Sequence, residues 1–156
     1  MIEHIRREIP KAFESEEYGA RQGEIGKALD RQRSQVLEHM SERARQAGFA
    51  LQAMSYGLML VPVTEGRPMN DAELQSLSTT AREELQHRHE ALQDELKASL
   101  KQIRELERAA QEQLQALDRH VAHYIVSGLI EDLTEQYRGV AEVVRYLTAV
   151  EQDILA

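Results

Sequence analysis

The chain has 156 residues, of which 29% are charged and only 4% are aromatic, and it contains neither cysteine nor tryptophan. The absence of cysteine excludes disulfides, thiol catalysis and thiolate metal sites. The net charge is −8 and no segment is basic, so nucleic acid and anionic membranes are not expected partners. With so few bulky side chains, burial must come from narrow aliphatic seams between long helices.

The first predicted helix runs from Lys11 to Ala47, a stretch without proline. Apolar residues recur there at steps of three, four or seven, which is the spacing of one helical face. Gly48 follows the last of them and is typical of a residue that ends a helix. The seam positions are Ile25, Leu29, Val36, Met40, Ala44 and Ala47.

A β-hairpin is predicted next, with strands at Phe49–Ser55 and Leu58–Val63 around the turn residue Tyr56. Pro62 cannot donate to a strand ladder, so the second strand is expected to be an edge at that point. A short helix over Asn70–Leu77, capped by Asn70, is the nearest cover for the hairpin.

The longest predicted helix begins at Thr79 or Thr80, with Glu83 or Glu84 placed for a capping box. Its apolar residues keep a three-four spacing that predicts a coiled-coil seam. The seam positions are Leu85, Leu92, Leu96, Ile103, Leu106, Ala110, Leu114, Leu117, Val121 and Tyr124.

The chain ends in two shorter predicted helices, Ile125–Tyr137 and Val140–Leu155, with a break at Gly139. The predicted fold is mainly α, a single domain built on a long antiparallel coiled-coil hairpin, because the connection between the long helices is a small folded segment. The parts are a base bundle (1–18 and 125–156), coiled-coil arms (19–47 and 80–124) and a tip knob (48–79) with the β-hairpin 49–63 and the short helix.

Three short motifs resemble phosphate-binding or metal-binding sites, but each resemblance is weak. The glycines of Gly23–Lys27 fall inside a predicted helix and lack the remaining residues of a phosphate loop. Glu84 and His87 have the spacing of a carboxylate-bridged metal bundle, but the required second pair is missing. His120 and His123 share a helical face, where zinc binding is a less common outcome than solvent exposure. No catalytic constellation is visible, so the chain alone is expected to have no enzymatic activity, cofactor or metal.

The tip knob contains the candidate site. Its second strand is apolar on both faces, whereas a hairpin covered by one short helix buries only one face. The other face is expected either to meet a protein partner or to lie under a bent helix or the end of the coiled coil. The candidate partner-binding residues are Tyr56, Leu58, Met59, Leu60, Val61 and Val63.

Several segments, taken in order, resemble the helical region of the Lon-related ATP-dependent proteases, in the branch that carries a long coiled coil inside its AAA+ module. The resemblance spans essentially the whole chain. It rests on Ile9–Tyr18, Gly48–Gln52, Leu60–Val63 with Gly66–Pro68, Leu92–Leu96 and Val144–Leu155.

This resemblance implies that the chain is the non-catalytic coiled-coil domain of an ATP-dependent serine endopeptidase. It implies a cytoplasmic parent, usually a homo-hexameric ring, whose remaining ATPase and protease domains bind ATP and Mg²⁺ and degrade unfolded or damaged proteins. The domain is then expected to engage protein substrates or to gate access to the ring. The alternative is a structural or adaptor coiled coil that mediates oligomerisation without touching substrate.

Overall fold

The computed structural model describes Arg7 and residues 11–155. These residues are mainly helical and include a three-stranded antiparallel sheet, which confirms the predicted mainly helical fold class. The elements, in chain order, are α1 (Glu16–Gln46), β1 (Phe49–Met54), β2 (Gly57–Thr64), β3 (Arg67–Pro68), α2 (Asp71–Ser76), α3 (Thr79–Gln136) and α4 (Ala141–Leu155).

The chain divides into two compact units. Unit 2 is the continuous stretch Leu29–Arg108, and unit 1 combines the chain up to Ala28 with the chain from Ala109 onward. Helices α1 and α3 therefore contribute residues to both units, whereas the sheet and α2 belong to unit 2 alone.

In unit 2, α1 and α3 run antiparallel. Arg43 of α1 pairs with Glu95 of α3, and Arg33, earlier in α1, pairs with Glu107, later in α3. A core forms where the sheet meets the two helices, because apolar residues of all three elements converge there. The buried residues of this core are Met40, Ala44, Phe49, Leu60, Leu92 and Leu96.

The predicted seams agree well with the observed burial. All six seam positions of the first helix are buried or half-buried, and so are the seam positions of α3 from Leu85 to Val121. Tyr124 was expected to continue this seam, but its side chain is 79% exposed. Val126 and Ile130 are buried instead, so the apolar stripe of α3 shifts at this point.

The start of α1 differs from the prediction and its end agrees. Residues 11–13 are helical, but α1 proper begins at Glu16, because the hydroxyl of Ser15 accepts a hydrogen bond from the amide of Tyr18 at 3.2 Å. At the other end, Gly48 has φ of +83°, a conformation that favours glycine and stops the helix as predicted.

The predicted hairpin is present, with Leu51 of β1 opposite Leu60 of β2. A third strand, which the sequence analysis missed, follows a two-residue turn at Glu65 and Gly66. Both turn residues have positive φ, 48° and 79°, as a type I′ hairpin turn requires.

The third strand makes β2 the middle strand at Val63 and Thr64, but its pairing stops before Pro62, so the prediction of an edge at Pro62 is confirmed for that position. Val63 donates to the carbonyl of Gly48 beside β1, and the carbonyl of Pro62 accepts from the amide of Met69 on the opposite side. The nitrogen of Pro62 therefore faces the β3 side, because both backbone groups of an extended residue point the same way. Proline is tolerated there because the two-residue β3 pairs only with Val63 and Thr64.

The caps of the next two helices were predicted with mixed success. Asn70 caps α2 in a capping box, since its side chain accepts from the amide of Glu73 at 2.8 Å and its own amide donates to the Glu73 carboxylate at 2.9 Å. Helix α3 begins at Thr79, as predicted, but neither Thr79 nor Thr80 is its cap. Ser78 is the cap, because its hydroxyl accepts from the amide of Ala81 at 3.1 Å.

In unit 1, the C-terminal part of α3 packs against α4. Val126, Ile130 and Leu147 form its buried core. Helix α3 continues without interruption to Gln136, so the predicted boundary before Ile125 is wrong, whereas the break at Gly139 is confirmed.

Residues 1–6 and 8–10 of the predicted base bundle lie outside the described residues. Across the part of the chain that the structure does describe, no helix is both long enough and apolar enough to pass through a membrane.

Candidate protein-binding face of the sheet

The two faces of β2 have different environments. Successive side chains of a strand point to opposite sides, so Leu58 and Leu60 share one face while Met59, Val61 and Val63 share the other. Leu60 is only 6% exposed, whereas its neighbour Met59 is 37% exposed. We call the side of Met59 the outer face; with its β1 neighbours it comprises Ala50, Gln52, Met54, Met59, Val61 and Val63.

The inner face packs on the long helices. Leu60 belongs to the same core as Met40 and Ala44 of α1 and Leu92 of α3, and Leu58 packs against its margin. The long helices, rather than the short helix predicted as the nearest cover, therefore cover this face, since the core contains no residue of α2. Leu60 is therefore structural, and Leu58 is half-buried beside it, so the inner face accounts for two of the six candidate residues.

The outer face contains no charged side chain. Val61 lies opposite Ala50, and Met59 lies opposite Gln52. Val61, Val63, Ala50 and Gln52 are all half-buried. An uncharged, partly exposed sheet face of this kind is typical of an interaction surface.

Within the hairpin, the most exposed large apolar side chains lie at the turn between β1 and β2. Tyr56 is 76% exposed and Met54 is 42% exposed. Gly57, which follows Tyr56, has φ of +137°, so the turn depends on glycine at that position. The turn thus presents an aromatic ring beside two methionine side chains, those of Met54 and Met59, at one end of the outer face.

An ion pair between Arg67 and Glu73 joins the third strand to the short helix. The guanidinium of Arg67 on β3 donates twice to the carboxylate of Glu73 on α2, with an Nη1 to Oε2 distance of 3.0 Å. These bonds and the one from the Asn70 amide hold the pKa of Glu73 below its usual range. Arg67 and Glu73 therefore neutralise each other and fasten α2 to the end of the sheet.

The weak metal and phosphate motifs show no assembled site. Gly23–Lys27 lies within α1, and Glu84 pairs with Arg88 at 3.3 Å rather than with His87. His120 and His123 are both exposed. Among the described residues, no three histidine, aspartate or glutamate side chains meet in a group that could hold a metal ion.

A polar cluster that was not predicted from the sequence joins Ser127, His123 and Glu151. Ser127 of α3 donates its hydroxyl proton to Oε1 of Glu151 on α4 at 2.6 Å, and its Oγ lies 3.3 Å from Nδ1 of His123. Serine, histidine and a carboxylate are the residue types of a hydrolase triad, but the hydrogen-bond order differs. In a triad histidine lies between the other two, whereas here serine does and donates its proton to the carboxylate. The backbone amides around Ser127 are used within α3, so none forms an oxyanion hole. The cluster links two helices.

The four-residue spacing of His123 and Ser127 is visible in the sequence, but their approach to Glu151 depends on the packing of α4 on α3. No family model and no curated protein matches this chain.

Proposed function

We propose that this chain is the non-catalytic coiled-coil domain of a Lon-like ATP-dependent serine protease and that its outer face engages unfolded protein substrates. In this proposal α1 and α3 form an antiparallel coiled coil, which the burial of Leu92, Leu96 and Ile103 at four- and seven-residue steps supports. ATP and Mg²⁺ would be bound by other domains of a cytoplasmic, homo-hexameric parent, and the outer face would load substrate or gate its entry.

The observation that carries the proposal is the contrast between the two faces of β2. Leu60 is held in a core, but Met59 and the turn residues Met54 and Tyr56 are exposed. Methionine is unbranched and adapts its shape to different partners, and tyrosine offers a large amphipathic contact. Such a surface suits many sequences rather than one.

The absence of charge on the outer face favours an unfolded partner over a folded one. Folded proteins bury most of their large aliphatic side chains, whereas an unfolded chain displays them along its length. An apolar surface without charged groups selects for those side chains and is indifferent to their order.

Two tyrosines with nearly equal exposure give a matched test. Tyr56 at the hairpin turn is 76% exposed, and Tyr124 on α3 is 79% exposed. Fluorescence anisotropy would measure binding of the 156-residue chain to reduced, carboxymethylated lactalbumin, which stays unfolded. We expect Tyr56→Ser combined with Met59→Ser to weaken binding about tenfold, roughly 1.4 kcal/mol, and Tyr124→Ser to leave it unchanged. Equal loss in both variants, or no binding by the original chain, contradicts the proposal.

The role in a protease requires the intact parent. Changing Met59 and Val61 to serine there should slow degradation of an unfolded protein while leaving cleavage of a short peptide unchanged, because a peptide reaches the active site by diffusion. The flanking gene sequence offers a further test. A phosphate-loop motif upstream and a Ser-Lys protease domain downstream are expected, and their absence would contradict the protease assignment.

One observation favours the alternative of a structural or adaptor role. On α4, Tyr146 is 63% exposed and Ile154 is 49% exposed, and Val140 just before the helix is also 49% exposed. These groups could meet a second helix in an oligomer. Sedimentation velocity distinguishes the two functions, because an adaptor should form a stable oligomer that Tyr146→Ser disrupts, with no effect of changes at Tyr56.

A further inference from the structure

The edge of the sheet formed by β1 has free backbone hydrogen-bonding groups. The bond from the amide of Val63 to the carbonyl of Gly48, 3.0 Å long, fixes which β1 residues face β2. Because these alternate along the strand, Ala50 and Gln52 bond to β2, while Phe49, Leu51 and Ala53 direct their amides and carbonyls away from it. Within the described residues, no hydrogen bond reaches these outward groups.

The two edges of the sheet are protected very differently. The β3 edge has only two residues, Arg67 and Pro68, and both charge and proline discourage pairing with another strand. The β1 edge, Phe49–Met54, has six residues with no charge and no proline. Open edges attract other chains, so a protein without a use for one generally blocks it.

We propose that the β1 edge binds an extended segment of an unfolded polypeptide as an added fourth strand. This inference rests on the proposed function and gives its mode of recognition. The outward amides and carbonyls of Leu51 and Ala53 would pair with the backbone of the segment, which every sequence presents in the same form. Side chains of the added strand on one side would continue the outer face beside Gln52 and Met54. Backbone pairing would hold the segment while the outer face binds its apolar side chains.

A second copy of this chain is a less suitable occupant. Two copies would each carry a net charge of −8, and like net charge opposes self-association. An unfolded segment need not carry a net negative charge, and its backbone groups are bonded only to water before it binds. The polypeptide is therefore the occupant to test, and self-pairing is an outcome that the test can detect.

Amide hydrogen exchange tests the pairing directly in the unaltered 156-residue chain. The probe is an uncharged twelve-residue peptide of lactalbumin, with any cysteine carboxamidomethylated so that no charge is added, and exchange is followed by nuclear magnetic resonance at saturating peptide. We expect the amides of Leu51 and Ala53 to exchange about tenfold more slowly when the peptide is bound. The amides of Ala50 and Gln52 are internal controls, because they already bond to β2 and should change little. Only an added strand predicts this alternation.

A proline substitution gives an independent measurement. Ala53→Pro removes an outward amide without removing a bond to β2, and Ala53→Val keeps that amide. We expect peptide affinity to fall about tenfold in the proline variant and to stay within about twofold in the valine variant. Circular dichroism checks that both variants fold, and the exchange experiment needs neither of them.

The outcomes separate this inference from the proposed function. Peptide binding without slower exchange at Leu51 and Ala53 overturns the added strand and leaves binding by the outer face intact. Slower exchange at the same amides when the chain is concentrated without peptide assigns the edge to a second copy and also overturns the inference. Failure to bind either the peptide or the unfolded protein rejects both proposals together.

Discussion

Arg43 of α1 and Glu95 of α3 form a two-point ion pair beside the buried core of unit 2. The Arg43 Nε lies 3.0 Å from Oε2 of Glu95, and Nη2 lies 2.8 Å from Oε1. Because two parallel hydrogen bonds join the groups, the pair fixes the orientation of the guanidinium relative to the carboxylate as well as their separation. The pair therefore helps to set the register in which Ala44 and Leu96, each adjacent to one partner, enter the core.

The Arg43–Glu95 pair should make stability depend on pH at the acidic end. Hydrogen bonds from Arg43 lower the pKa of Glu95 from 4.5, so the folded chain binds this proton less readily than the unfolded chain. The stabilisation is then present above pH 4.5 and is lost as the pH falls through the lowered pKa. We expect Arg43→Gln to lower the melting temperature at pH 7 and to have progressively less effect toward pH 3.

Arg45 provides the control, because it pairs with Glu42 inside α1 and holds the pKa of that carboxyl at about 2. The effect of Arg45→Gln should be lost only as the pH approaches about 2. Thermal unfolding followed by circular dichroism between pH 7 and 2 measures both. If the difference in melting temperature between Arg43→Gln and the original chain stayed constant from pH 7 to 2, ionised Glu95 would not be the source of the stabilisation.

The long helices were predictable because their signals are local. Apolar spacing places Met40 and Ala44 on one face of α1 whatever the tertiary structure, and both are buried. The third strand was missed because its turn places Glu65 at positive φ, a position more usually filled by asparagine or glycine. Tertiary contacts sustain that turn, notably the ion pair between Arg67 and Glu73.

The candidate site was predictable only in part. The sequence indicates that β2 is apolar on both faces, and alternation alone pairs Leu58 with Leu60. It does not say which face meets the helices, because that depends on how the hairpin docks on Met40 and Leu92. The hydrogen bond from Ser127 to Glu151 was also not predictable, because it depends on how two helices separated by the break at Gly139 pack together.

Substitutions at adjacent positions of β2 should have very different costs. Leu60→Ala leaves a cavity between the sheet and both long helices, and it should lower the free energy of unfolding by about 2–5 kcal/mol. Met59→Ala acts on a side chain that is 37% exposed, and its cost should be under about 1 kcal/mol. Urea denaturation measures both. Equal losses would mean that β2 is buried on two sides, and the binding function of the outer face would then be wrong.

The same substitution at two glycines should change stability in opposite directions. Gly48→Ala forces a side chain into φ of +83° and should cost about 1–2 kcal/mol. Gly23→Ala lies inside α1, where an added Cβ meets no atom within 4 Å, and should stabilise the chain by about 0.5–1 kcal/mol. Thermal and urea unfolding measure both variants. A loss of stability from Gly23→Ala would indicate a contact at this site that the structure does not contain.

The hydrogen bond from Ser127 to Glu151 should contribute to the packing of α4 on α3. Ser127→Ala removes the donor and should lower the free energy of unfolding by about 1 kcal/mol. Glu151→Gln should cost a similar amount, because the amide is a weaker acceptor than the carboxylate. The double variant should cost less than the two single changes added together, since they act on one bond.

His123 distinguishes this structural link from a catalytic arrangement. The hydroxyl of Ser127 has one proton, and the 2.6 Å distance assigns it to Glu151 rather than to His123 at 3.3 Å. His123→Ala should therefore cost clearly less stability than Glu151→Gln. Ser127→Ala should not change the rate at which the chain hydrolyses p-nitrophenyl acetate, and His123→Ala should lower it no more than the loss of another exposed histidine, His120→Ala, does. A shared loss of hydrolysis in Ser127→Ala and His123→Ala would show that Ser127 acts as a nucleophile with His123 as its base, and the structural role would be wrong.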